Sequence, residues 1–238
     1  MKVLGLHGFR TNGSVLDKQS EMLRKTLQAY YKSQYDAASP LIKYYFPDAP
    51  HAATGPTEDV VLKHFGDGPY NEWWRFVQRE GQNDVDVQLV GQHETLEYLE
   101  HYIDEHGPFD VVLGFSQGAA VAVFLANHFR KRQGRIPWRI NVLVAGSAAK
   151  SHQHLYRDIA SEALAMPTII INGEADYLWD YFADFNDFFD PAQRWIFVHP
   201  SGHKFPSTRV FQESYIAIAA IIHRQLTTTT DVAGVSKL

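Results

Sequence analysis

The stretch FDVVLGFSQGAAVAVFLA, Phe109–Ala126, decides how this chain is read. Its first half, Asp110 to Phe115, is a short and nearly unbroken apolar run, the pattern of a strand buried on both faces. Its second half is rich in alanine, valine, phenylalanine and leucine, and reads as a buried helix over about residues 117–132. Ser116 stands where one pattern gives way to the other, with Gly114 and Gly118 two positions to either side. Gly-x-Ser-x-Gly between a strand and a small-residue helix has the form of a nucleophile elbow. Such a turn lifts a hydroxyl above the edge of a sheet. Side chains at 114 or 118 would collide with neighbouring backbone, and glycine removes the collision. Ala119 and Ala120 then let the helix lie close to the strands.

Outward from this segment, strand-like runs alternate with helix-like ones. KVLGLH (2–7) precedes an amphipathic stretch from about Ser14 to Ser33, and LIKYYF (41–46) precedes a long irregular region and a helix near Gly91–Glu105. INVLVAG (140–146) leads to a helix near His152–Leu164, TIIIN (168–172) to one near Asp180–Phe188, and RWIFVH (194–199) to a last one near Pro206–Gln225. Six β–α units with near-continuous apolar strands predict an α/β fold: a doubly wound, mainly parallel six-stranded sheet with helices on both faces. Right-handed crossovers give the strand order 2-1-3-4-5-6, with reactive groups gathered at the carboxyl ends of the strands. One domain over residues 1–226 is expected, then a small, polar, flexible tail over 227–238. Residues 47–89 are too long and irregular for an ordinary connection and suggest a lid or pocket wall. Trp73, Trp74 and Phe76 supply apolar surface there, and the two tryptophans serve equally well as anchors to the core.

Composition narrows the function. With 22 Lys and Arg against 27 Asp and Glu, the net charge is −5 and unclustered, so a basic footprint for nucleic acid is missing. The chain has no cysteine, which rules out disulfides, thiolate zinc sites and a thiol nucleophile. No apolar run reaches the length of a membrane span, and MKVLGLHGF reads as a strand rather than a signal peptide. The last residues, Ser236-Lys237-Leu238, form a tripeptide of the type read by the peroxisomal import receptor, which predicts a peroxisome-like organelle as the destination.

A serine hydroxyl is a weak nucleophile until a base takes its proton, so a histidine and its orienting carboxylate must follow in the order Ser…Asp/Glu…His. Gly173-Glu174-Ala175-Asp176 leaves one strand and Pro200-Ser201-Gly202-His203 leaves the next, which places Asp176 and His203 at the same sheet edge as Ser116. Glu174 and His199 are their nearest competitors. A tetrahedral oxyanion needs two N–H donors. The backbone of Gln117, after the nucleophile, and that of Phe9, in the loop His7-Gly8-Phe9-Arg10, are the candidates. His7 reads as a structural or pocket-lining histidine. Arg10 either steers an acidic substrate group or is solvated or salt-bridged. Phe115, Trp73, Trp74, Tyr177 and Leu178 complete the candidate pocket. His152-x-His154 lacks a third ligand at a useful spacing, and no HExxH, P-loop or Gly-x-Gly-x-x-Gly motif occurs, so no metal or cofactor is expected.

Taken together, LHGFRTNG, FPDAPH, NEWWRF, GPFDVVLGFSQGAAVAVFLA, INGEAD and SGHKFP resemble, in that order, the FSH serine hydrolases, a branch of the α/β-hydrolase superfamily. The resemblance implies the α/β-hydrolase fold, a Ser-His-Asp triad falling on Ser116, His203 and Asp176, and hydrolysis of carboxylic esters or thioesters. It also makes the paired Trp73 and Trp74 a family mark. The chain departs from the wider hydrolase pattern at Tyr177-Leu178-Trp179-Asp180, where many relatives carry Val-Pro, and this puts the adjoining pocket wall in question. The expected activity is cleavage of a small acyl ester or thioester. An acyl-CoA-type thioesterase and a non-catalytic, ligand-binding relative are the alternatives.

Overall fold

The computed structural model describes residues 1–35, 41–78, 87–147 and 162–228. Its centre is a six-stranded sheet of β2 (Lys43–Tyr45), β1 (Lys2–Leu6), β7 (Val111–Phe115), β8 (Ile140–Val144), β9 (Thr168–Gly173) and β10 (Arg194–His199), side by side in that order. All five pairings are parallel. Counted as sheet strands alone, this is the order 2-1-3-4-5-6 that the alternation of strands and helices predicts.

Successive strand residues point to opposite faces, and in β1, β7, β8 and β9 both faces are covered, while the edge strand β10 leaves Ile196 and Val198 exposed. On one side Leu4, Leu6, Val112, Leu143 and Ile170 pack beneath α4 (Gln92–His106) and α5 (Gln117–Gln133). On the other, Val3, Val111, Leu113, Val142, Ile169 and Ile171 pack beneath α1 (Gly13–Gln19), α2 (Glu21–Gln34) and the last helix, Thr208–Thr227. The alternation is strict within β9, where Ile169 and Ile171 belong to one core and Ile170 to the other.

The stretch 14–33 is two helices rather than one. Asn12 opens α1 by accepting the N–H of Val15 at 3.0 Å, a side-chain cap. The chain then bends at Ser20, whose hydroxyl donates to the Leu16 carbonyl at 2.7 Å and closes α1 before α2 begins. The helix expected near Asp180–Phe188 is a 3₁₀ turn, Trp179–Tyr181, followed by one short helix, Phe182–Asn186. The expected helix near His152–Leu164 lies outside the described residues apart from 162–164, which are not helical. The His152-x-His154 pair and the tripeptide Ser236, Lys237, Leu238 lie outside them too.

The segment 47–89 carries more structure than its composition suggests. It holds the short ribbon β3 (His51–Ala52) with β4 (Asn71–Glu72), the helix α3 (Asp59–Phe65), and β5 (Arg75–Gln78), which pairs antiparallel with β6 (Val87–Val90). Residues 79–86 are outside the described set. Trp73 and Trp74 are fully buried in the core beside Leu99 and Phe124, so they anchor this segment. They do not line the cavity at the sheet edge, a correction to their reading as pocket residues.

Candidate active site

β7 ends at Phe115 and α5 begins at Gln117, leaving Ser116 alone in the turn with φ 53° and ψ −117°. A positive φ on a residue with a side chain is an unfavourable conformation that the surroundings must hold in place. They do so by tight packing. A Cβ on Gly118 would lie 2.0 Å from the Leu6 carbonyl oxygen, and one on Gly114 would lie 2.6 Å from the Gly118 oxygen. Ser116 also donates its N–H to the Val144 carbonyl at 2.9 Å, which ties the turn to the end of β8.

Two loops from the neighbouring strand ends meet it. Asp176 follows β9 and His203 follows β10, and His203 reaches both partners: its Nδ1 is 2.8 Å from Asp176 Oδ2 and its Nε2 is 2.9 Å from Ser116 Oγ. Asp176 is fully buried at its side chain and His203 nearly so. The other Asp176 oxygen accepts the Leu178 N–H at 2.9 Å. A carboxylate only accepts, so the imidazole proton belongs on Nδ1, and Nε2 is left to accept the serine hydroxyl. The ring is held between Phe115 and Tyr177, with centroids 5.2 and 4.9 Å away. Neither competitor joins this group. His199 is buried and accepts the Ser201 N–H at 3.2 Å, while Glu174 is exposed.

The hydroxyl opens into a cavity of about 820 Å³. Phe9, Arg10, Phe115 and Tyr177 line it, whereas His7 and Leu178 do not, which corrects the placing of those two at the pocket. α3 lines it as well, through Val60, Val61 and Phe65, residues that the sequence did not single out. Arg10 is committed to structure as well. Its Nε lies 3.3 Å from the fully buried Glu72 carboxylate, which also accepts the Thr54 hydroxyl at 3.0 Å. The salt-bridged alternative for Arg10 is the one found.

His7 is buried, and burial pushes its imidazole down to a pKa of about 4. Its Nε2 accepts the Ala49 N–H at 2.9 Å, so the neutral ring carries its proton on Nδ1, 2.8 Å from the Gly8 carbonyl. The side chain of Gln117 has a function that sequence reasoning missed. Its Oε1 accepts the N–H of Trp73 at 3.1 Å and its Nε2 donates to the carbonyl of Trp74 at 2.9 Å, which clamps the tryptophan backbone to the elbow. The Trp73 indole donates in turn to the His7 carbonyl at 2.9 Å. Of the two backbones proposed to face an oxyanion, Phe9 lines the cavity and Gln117 opens α5 directly after Ser116.

Known proteins resemble this chain in sequence and in fold. The profile of the family Serine hydrolase (FSH1) matches residues 1–215. Esterase OVCA2 of Danio rerio is 29% identical over 224 residues, covering 90% of this chain and 94% of that protein. Family of serine hydrolases 3 of Saccharomyces cerevisiae is 26% identical over 233 residues, covering 88% and 80%. Among solved structures, esterase PE8 superposes with a TM-score of 0.59 at 18% identity, covering 94% of this chain and 92% of that one. Zea mays acyl-protein thioesterase 2 does so with a TM-score of 0.55 at 18% identity, covering 93% and 94%. At those identities the likeness is one of fold, that of the α/β hydrolases. Matched from its first residue to beyond the last of the three residues meeting at the sheet edge, the chain belongs to the Serine hydrolase (FSH1) family and is a hydrolase.

Proposed function

We propose that this protein cleaves a carboxylic ester or thioester with an apolar acyl group, through an acyl-enzyme on Ser116. The observation that carries the reading is the unbroken line from Asp176 through His203 to Ser116, with contacts of 2.8 and 2.9 Å. His203 Nε2 takes the serine proton as Oγ bonds to the substrate carbonyl carbon. The resulting oxyanion is held by the N–H groups of Phe9 and Gln117. As the tetrahedral intermediate collapses, the bond to the leaving group breaks and His203 delivers the proton to the departing oxygen or sulfur. Water then repeats the sequence on the acyl-enzyme, losing its proton to His203 and releasing the acid, while Asp176 holds the imidazole tautomer.

Val60, Val61 and Phe65 offer an aliphatic acyl chain apolar surface to lie against, in a cavity whose lining also includes the charged Lys18, Glu21, Glu58 and Lys204. The test is a fluorophosphonate probe followed by a chain-length series of nitrophenyl esters and acyl-CoAs. Wild type is expected to be labelled and Ser116→Ala to be neither labelled nor active, with turnover down by roughly 10⁴-fold or more. Labelling that survives in Ser116→Ala, or a wild type that never reacts, would reject the mechanism. Turnover of esters with none of the acyl-CoAs would remove the thioester half.

A further inference from the structure

We infer that Thr11 and His7 are positioning residues that aim the Phe9 N–H at the reacting carbonyl by gripping the Gly8–Phe9 peptide from behind. The inference rests on the hydrolytic reading above and deepens it.

The Gly8 carbonyl accepts two hydrogen bonds, one from the Thr11 hydroxyl at 2.8 Å and one from His7 Nδ1 at 2.8 Å. The second donor is fixed in its role, because Nε2 of the same ring is taken by the Ala49 N–H. The Gly8–Phe9 peptide is trans, so its C=O and N–H point in opposite directions. Holding the oxygen toward Thr11 and His7 therefore turns the Phe9 N–H to the far side. Ser116 is close at hand: a Cβ on Gly8 would lie 3.6 Å from the serine Cβ, and Gly8, Phe9 and Ser116 line one cavity.

An unanchored peptide here would be a poor donor. Gly8 has no Cβ to bias its torsions, so the plane is free to rotate unless something holds it. Thr11 and His7 are both buried, so the grip is shielded from competing water. The network extends to the second donor. The Trp73 indole holds the His7 carbonyl, and the Gln117 side chain holds the Trp73 and Trp74 backbone, so the spacing of the two N–H groups is set by one connected set of bonds.

The experiment compares Thr11→Val, which keeps shape and loses the hydroxyl, with Thr11→Ser, which keeps the hydroxyl. Three readouts are taken on the full chain: kcat and KM on a nitrophenyl ester, affinity for a trifluoromethyl ketone that mimics the oxyanion, and the carbonyl stretching frequency of a slowly deacylating acyl-enzyme. Losing an oxyanion donor outright costs about 10²–10³-fold, so loosening one is expected to cost roughly tenfold in kcat with KM little changed. Ketone affinity should fall by the same factor and the carbonyl frequency should rise, with Thr11→Ser restoring all three. Should Thr11→Val fail to fold, Thr11→Ala carries the same readouts. An unchanged kcat and ketone affinity would overturn the inference, as would a loss of kcat with the carbonyl frequency unmoved. A wild type that no fluorophosphonate labels would instead sink the hydrolytic reading itself, so the two failures are distinct.

Discussion

Of the two histidines that matter most, His203 bridges an alcohol and a carboxylate at the cavity, while His7 lies wholly inside and bonds only to backbone and Thr11. Burial alone sets the second apart, and it has a consequence for stability. The His7 pKa of about 4 lies below the ordinary value of 6.5, so the unfolded chain binds the proton more tightly than the folded one. Its contribution is complete above pH 6.5 and is lost as pH falls from there toward 4, by roughly 3 kcal/mol in all. Burial lowers His199 as well and tilts stability the same way, so the comparison must be made within one variant. Urea unfolding of wild type and His7→Gln at pH 7 and pH 4.5 checks this. The variant should show a shallower decline by up to one proton, and identical declines would contradict the assignment. Sequence alone left His7 undecided between structure and pocket, because nothing local reveals that Ala49, 42 residues away, donates to its ring.

At the scale of elements, what could be read was what is local. β7, the elbow and α5 announce themselves because a buried strand and a buried helix have different residue patterns, and because Gly114 answers a steric need set by Gly118 and Ala119, a few residues on. α3 was illegible because Asp59–Phe65 is a short helix whose apolar residues face a cavity built by distant loops. The Gln117 clamp was hidden for the same reason, since its partners lie 43 and 44 residues away. The departure at Tyr177 has a visible purpose. Its hydroxyl donates to Glu58 at 3.2 Å, at the start of α3, while its ring packs on His203. Tyr177→Phe keeps the ring and frees the helix end. Because Tyr177 is two-thirds exposed, the bond is a weak one, and KM for long-chain esters should rise about two- to fivefold with kcat nearly unchanged. A steady-state comparison of short and long esters measures it, and equal effects on both would show that the contact does not shape the acyl site.

For the molecule as a whole, the sheet separates two cores that share a backbone and little else. Ile170 and Ile171 are adjacent in the chain yet belong to opposite cores. Ile170→Val and Ile171→Val should each cost about 1 kcal/mol, and the double variant should cost close to their sum, since side chains without shared neighbours act independently. Urea midpoints with unchanged slopes would verify it, and a marked excess in the double variant would mean that the sheet transmits strain across its plane. The order of the strands was readable because near-continuous apolar runs leave few topologies open. The way residues 47–78 fold back over the carboxyl edge was not, because it depends on the buried Glu72 and its partners Arg10 and Thr54. The twisted backbone at Ser116 bears on how such a protein ages under mutation. Glycine tolerates that twist and alanine does not, so Ser116→Gly should melt above Ser116→Ala by an amount worth about 1 kcal/mol. At this one position the backbone itself therefore ranks the replacements, glycine ahead of alanine, whatever the surrounding chemistry asks for.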